Sequence, residues 1–141
     1  MKRIISNHIV GGLNEAIEIA AVDAPGPGGA NHKYDIIGEA GAIAGERVPF
    51  GVNLRFQNGP IQTPADRNGI TNEAIIAVAI DRMRGFQYAR NEDSSFNFSI
   101  PGKYACVENA EALKHLESAL EWLQKRTKDR LARGVEGTHT K

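Results

Sequence analysis

The chain has 141 residues, enough for one domain with a real core and too few for two of ordinary size. Its 17 basic and 17 acidic side chains cancel, which argues against a general binder of DNA or RNA polymers or of membrane surfaces, because such proteins carry a basic excess. A single cysteine excludes an internal disulfide, the apolar run after the basic start "MKRIISNHIVGG" is too short for a signal peptide, and no stretch nears the ~18 apolar residues of a membrane span, so a soluble protein of the cytoplasm is expected.

The first part reads as strands and loops. In "EAIEIAAVDA" (15–24), Ile17, Ile19 and Ala21 would share one face of a strand and Ala16, Glu18 and Ala20 the other, although a short helix fits the same residues nearly as well. "PGPGGAN" (25–31) is a loop. It lacks the Gly-Lys-Ser/Thr of a nucleotide P-loop and opens no obvious helix. "YDII" (34–37) suits a second strand. "VNLRFQNGPIQ" (52–62) suits a hairpin turning at Asn58-Gly59, with Pro60 directly after it either opposing the hairpin or placing its second strand at an edge. The expected organisation is one domain, strand-rich over about 1–66 and helical over about 71–133.

In "NGITNEAIIAVAIDRMRGF" (68–86), Thr71 is the expected helix N-cap, Glu73 lies in the first turn and Gly85 is placed to stop the helix. Ile75, Ile76, Val78 and Ile80 are apolar all round, which suggests a buried helix. "YARNEDSSFNFSIPGKY" (88–104) is a mostly polar loop in which Phe96 and Phe98 alternate with polar residues, as in a short strand pair.

The last helix is expected from near Cys106 to about Arg133, with Gly134 at its stop. Leu113, Leu116, Leu120 and Leu123 step by three and four along it, a seam of the coiled-coil kind. Counted by sevens, Asn109, Leu116, Leu123 and Arg130 share one line, and at 1.5 Å per residue its ends are roughly 30 Å apart. Two arrangements stay open: the seam packs on the chain's own sheet, or it pairs antiparallel with a second subunit so that each arginine end meets the partner's opening end.

Arg126, Arg130 and Arg133 fall on one face of this helix. Cations at a helix C-terminus suit the macrodipole, worth ~0.3–1 kcal/mol each, and guanidinium groups equally fork onto phosphate. From Trp122 onward there are six basic side chains against two acidic ones, a local excess that suits a small anion. Both Arg126 and Arg130 are expected to be exposed and to act on a ligand rather than on the fold.

Other chemistry is not advertised. His8, His32, His115 and His139 show no metal-ligand spacing, Cys106 at a helix start is consistent with packing, and there is no Gly-x-Ser-x-Gly elbow and no carboxylate pair marked as acid and base. A protein that is not an enzyme, with no metal and no cofactor, is expected.

Together, "FQNGPI", "NGITNEA", "IDRMRGF", "YACVENAEAL" and "LEWLQKRTKDRLARGVEGTH" resemble the Thoeris anti-defence sponges of phages, whose helical hairpin is shared with the anti-CBASS cyclic-nucleotide sponges. The resemblance runs from about "SNHIVGG" to "EGTH", with the loop at 88–103 longer than the family pattern. It implies an α+β fold, an N-terminal antiparallel β-sheet followed by a C-terminal helical hairpin, assembled as a homo-oligomer: a dimer, and in some members a hexamer. It implies a non-enzymatic role in the host bacterial cytoplasm, where such sponges bind and sequester the cyclic nucleotide made by an immune sensor. For Thoeris that signal is glycocyclic ADP-ribose, and some members also take cyclic di- or trinucleotides in a second pocket.

By motif match, the implied ligand-binding residues are Phe86 of "RGF", Asn109 of "ENA", Arg126 and Arg130 of "RTKDR", and Arg133, Thr138 and His139 of the "RGVEGTH" string. An adenine stacked on Phe86 would gain ~1–3 kcal/mol, Asn109 would pair with a base edge or ribose hydroxyl, and the arginines would meet phosphates. Two competing readings are a small phosphodiesterase that cleaves the same nucleotides, which would need a base or a metal, and a helical interaction module whose leucine seam binds another helix.

Overall fold

The computed structural model describes residues 2–39 and 49–134. It separates into two compact units, Met1–Ile70 and Thr71–Lys141.

The first unit is a four-stranded antiparallel meander, β1 (Arg3–Ile5), β2 (Glu18–Ala21), β3 (Lys33–Glu39) and β4 (Pro49–Arg55), paired in that order. The register sets Ile5, Ile19, Ile36 and Val52 in one row across the sheet and Arg3, Ala21, Tyr34 and Leu54 in the next. Side chains alternate along a strand, so these rows share one largely apolar face. The other face carries Glu18, Asp35 and Asn53, with Lys2 paired to Glu18 and the Asn53 amide donating to Asp35 at 2.6 Å. Phe50 lies across Gly38, whose missing side chain leaves the space that the ring occupies.

The stretch 15–24 uses both of its local preferences. Gly12–Ala16 winds into a 3₁₀ turn, and only Glu18–Ala21 is strand, so Ala16 and Ile17 fall outside the ladder. The 25–31 loop is tied down at Asp23, whose carboxylate accepts from the backbone N–H groups of His32 (3.0 Å) and Lys33 (3.1 Å). Partial desolvation would raise the Asp23 carboxyl, but these donors and the Asn31 amide outweigh it and hold the group below the usual value.

The hairpin expected at Asn58-Gly59 does not form. Gly59 does take a positive φ of 88°, but the chain then runs into a 3₁₀ turn, Pro64–Asp66, and returns to bridge Phe56 to Ile70 in parallel. Pro60 has no N–H to give a ladder. Side chains do the pairing instead: Asn68 accepts from Asn58 N–H at 2.7 Å and donates to Asn58 C=O at 2.8 Å, and Gln57 accepts from Asn68 N–H at 3.0 Å.

The second unit holds α1 (Asn72–Gln87), a two-stranded antiparallel ribbon of β5 (Tyr88–Arg90) and β6 (Phe96–Pro101), and α2 (Val107–Ala132). Thr71 caps α1, its hydroxyl accepting from Ala74 N–H at 3.2 Å. Gly85 does not stop the helix, which continues to Gln87 and passes directly into extended backbone at Tyr88. Feeding a strand without an intervening loop leaves no place for a left-handed glycine turn. Phe96 and Phe98 do lie in a strand pair, as their alternation suggests, and Tyr88 packs edge-on against Phe98 with centroids 5.0 Å apart.

The two helices run antiparallel, since Gln87 accepts from Cys106 N–H (3.3 Å) while Arg84 pairs with Glu117 (3.5 Å). Leu113 is buried on this contact and Leu116, Leu120 and Leu123 are half-buried. α1 is not the buried helix that its composition suggests: Ile80 is covered, but Val78 is 68% exposed. Among the described residues the buried apolar side chains are Ala20, Ala21, Ile80 and Leu113, a thin core for a chain of this size.

Candidate ligand site on the last helix

Two clusters of candidate side chains lie toward opposite ends of the 26-residue α2. At its opening, Cys106 is the N-cap: its exposed Sγ accepts from Asn109 N–H at 3.4 Å, so this cysteine caps rather than packs. The Asn109 side chain donates to Tyr104 C=O at 3.3 Å. Phe86, half-buried on the last turn of α1, lies at this same connecting end of the hairpin, with the Arg82 guanidinium 5.1 Å from its ring centroid.

The arginines occupy the opposite end. Arg126, Arg130 and Arg133 line one concavity of about 410 Å³, joined there by Trp122, Lys125 and Asp129. Lys125 Nζ lies 2.7 Å from Asp129 Oδ2. The helix then stops as expected: Gly134, at φ 71°, donates its N–H to Leu131 C=O at 3.1 Å.

Arg126 is exposed, as expected, but Arg130 is not: only 6% of its surface is accessible. The expectation of an exposed Arg130 rested on its terminal position, and packing overrides it. A buried guanidinium is costly unless partnered, and both Arg130 and Arg133 do engage partners. The macrodipole favours a cation near a helix end but gives no reason to cover it.

Phe86 and Asn109 therefore form one group and the three arginines another, separated along α2 within one chain. Thr138 and His139 lie outside the described residues. Reading the sequence did not single out Trp122, Lys125 or Asp129, although Trp122 stands four residues before Arg126, the helical spacing that brings side chains onto one face.

A second concavity of about 410 Å³ lies between α1 and α2, but three carboxylates, Asp81, Glu117 and Glu121, line it against one guanidinium, Arg84. That balance repels phosphate. Among the described residues no group of three or more His, Cys, Asp or Glu is placed to hold a metal ion, and no helix is long and apolar enough to cross a membrane.

An antiparallel sheet followed by a helical hairpin, with an arginine-lined concavity at the end of the second helix, defines a small α+β module built around that hairpin. The Acb2/Tad1 hairpin domain matches residues 52–128, more than half of the chain. A protein described as Thoeris anti-defense 1, from Bacillus phage SBSphiJ7, is 41% identical over 116 residues, covering 82% of this chain and 66% of the relative. The chain thus spans slightly under two thirds of that relative's length. It belongs to the Acb2/Tad1 hairpin family. The matched region includes Phe86, Asn109 and Arg126 and ends two residues before Arg130.

Proposed function

We propose that this protein is a phage anti-defence sponge. It binds a cyclic nucleotide immune signal, glycocyclic ADP-ribose, and holds it intact in the host cytoplasm so that the Thoeris effector stays off. The observation that carries this reading is the concavity of about 410 Å³ lined by Arg126, Arg130 and Arg133. Its size suits one small ligand rather than a polymer, and its charge suits phosphates. The name of the Bacillus phage relative supports the anti-defence role.

The site is completed by a second copy of the chain. Asn109 stands about 30 Å along α2 from Arg130, and Phe86 lies at the Asn109 end, so the two groups cannot reach the same small ligand within one subunit. An antiparallel dimer brings the Phe86–Asn109 end of one copy to the arginine end of the other and makes two equal sites. Exposed apolar side chains such as Val78 and Val107 support such an assembly, since large apolar surfaces mark association sites. Cyclic di- or trinucleotides, and with them CBASS signals, are ligands of the same chemical kind for a second pocket, and a hexamer is the higher assembly to look for.

The test is to incubate the protein with the products of an activated immune sensor, wash it, denature it with heat and identify the released small molecules by mass spectrometry. Intact glycocyclic ADP-ribose is expected. A cleaved product points to a phosphodiesterase. No released nucleotide and no thermal shift on adding one point to a helical interaction module.

A further inference from the structure

We infer that Trp122 is the base-recognition wall of the concavity at the end of α2. Its indole stacks on one face of the adenine of a nucleoside diphosphate whose phosphates lie on Arg126 and Arg130, leaving the other face for the Phe86 ring of a second copy. The inference rests on the reading of this concavity as a nucleotide site and adds the residue that tells a nucleotide from a bare anion.

Trp122 is the sole tryptophan of the chain and is 68% exposed, on a well-formed helix turn. Its position explains why no neighbour in its own hairpin covers it. It stands nine positions after the buried Leu113, and at 3.6 residues per turn that places it on the opposite side of α2 from the contact with α1. An indole left in water forgoes much of the burial that makes tryptophan useful. Here it lines the same concavity as the arginines. Arg126 follows one turn later and Arg130 two turns later, about 6 and 12 Å along the axis. A nucleoside bridges a gap of this order between its base and its phosphates.

Asp129 supplies the remaining contact. It lines the same concavity, and its Oδ2 lies 2.7 Å from Lys125 Nζ, so the carboxylate is oriented and its charge is offset within a basic site. Its other oxygen can accept from a ribose hydroxyl or an exocyclic amine. Stacking is tolerant of base identity, so this acceptor and not the indole would favour a donor-bearing base.

Because Trp122 is unique, intrinsic fluorescence reads this subsite directly in the full-length protein. Titration with glycocyclic ADP-ribose should quench the emission and saturate at the concentration where calorimetry saturates. Inorganic pyrophosphate should compete for the site without quenching. Trp122→Leu should keep the melting temperature and sedimentation of the wild type, bind pyrophosphate unchanged, and lose about tenfold or more in affinity for the nucleotide. Trp122→Phe should recover most of that loss. Arg-dependent nucleotide binding with no quenching, or with full affinity in Trp122→Leu, overturns the inference and leaves the sponge reading standing. A Trp122→Leu protein that falls apart into monomers and loses both probes equally shows that the indole is a subunit anchor, which also overturns it. Failure of the wild-type protein to bind either probe sinks the inference together with the reading beneath it.

Discussion

Arg126 and Arg130 stand one turn apart on α2 and line the same concavity, yet Arg126 is exposed while Arg130 keeps only 6% of its surface. The pair therefore separates two jobs. An exposed charge at a helix end contributes on the order of 0.5 kcal/mol to stability, so Arg126→Ala should leave the melting temperature of the free protein nearly unchanged. A charge-assisted bond from a guanidinium to phosphate is worth roughly 1.5–3 kcal/mol, so the same change should weaken nucleotide binding at least about tenfold. Arg130→Ala should both lower the melting temperature and weaken binding, because it strips the partners of a covered charge. Thermal melts and calorimetry on the two variants check this, and identical behaviour would show that burial does not distinguish them.

The seam predicts assembly. Leu116 and Leu123 are half-buried on α2, on the line that joins Asn109 to Arg130. Replacing both by Asp should leave a helical chain by circular dichroism that sediments as a monomer and no longer binds ligand. A monomer with full affinity would show that each pocket is built within one chain.

The turn at residues 62–66 carries a pH signature. The Asp66 carboxylate accepts from Thr63 N–H at 2.7 Å and Gln62 N–H at 3.0 Å, which hold it below the usual 3.8. A carboxyl whose folded pKa is depressed stabilises the fold above its unfolded pKa, and the effect is lost as pH falls through the folded value. Asp66→Asn should therefore lower the melting temperature at pH 7, and the gap should narrow as the pH is taken below about 4. A gap that stays constant down to pH 2 would mean that the ionised form contributes nothing.

Much of this architecture was legible in the sequence, for local reasons. The leucine steps from 113 to 123 and Gly134 mark the course and stop of α2, and Thr71 marks the start of α1, because periodicity and capping act within a few residues. The Asn58-Gly59 signal misled because its consequence depends on Asn68, ten residues on, whose side chain takes the place of a partner strand. Gly85 misled because a helix that feeds a strand directly needs no glycine turn. The burial of Arg130 and the exposure of Val78 depend on what surrounds them, which a helical repeat does not encode. Trp122 was overlooked because one aromatic among charged residues looks like ordinary surface until Arg126, Asp129 and Arg130 are seen around the same hollow.

The measurement that bears most directly on sequestration is depletion of glycocyclic ADP-ribose as a function of protein added, followed over time, with the ligand recovered after denaturation. The account predicts that free ligand falls in fixed proportion to protein, stops there, and is released intact by heat. Depletion that continues past stoichiometry with a cleaved product, or no depletion at all, would contradict it.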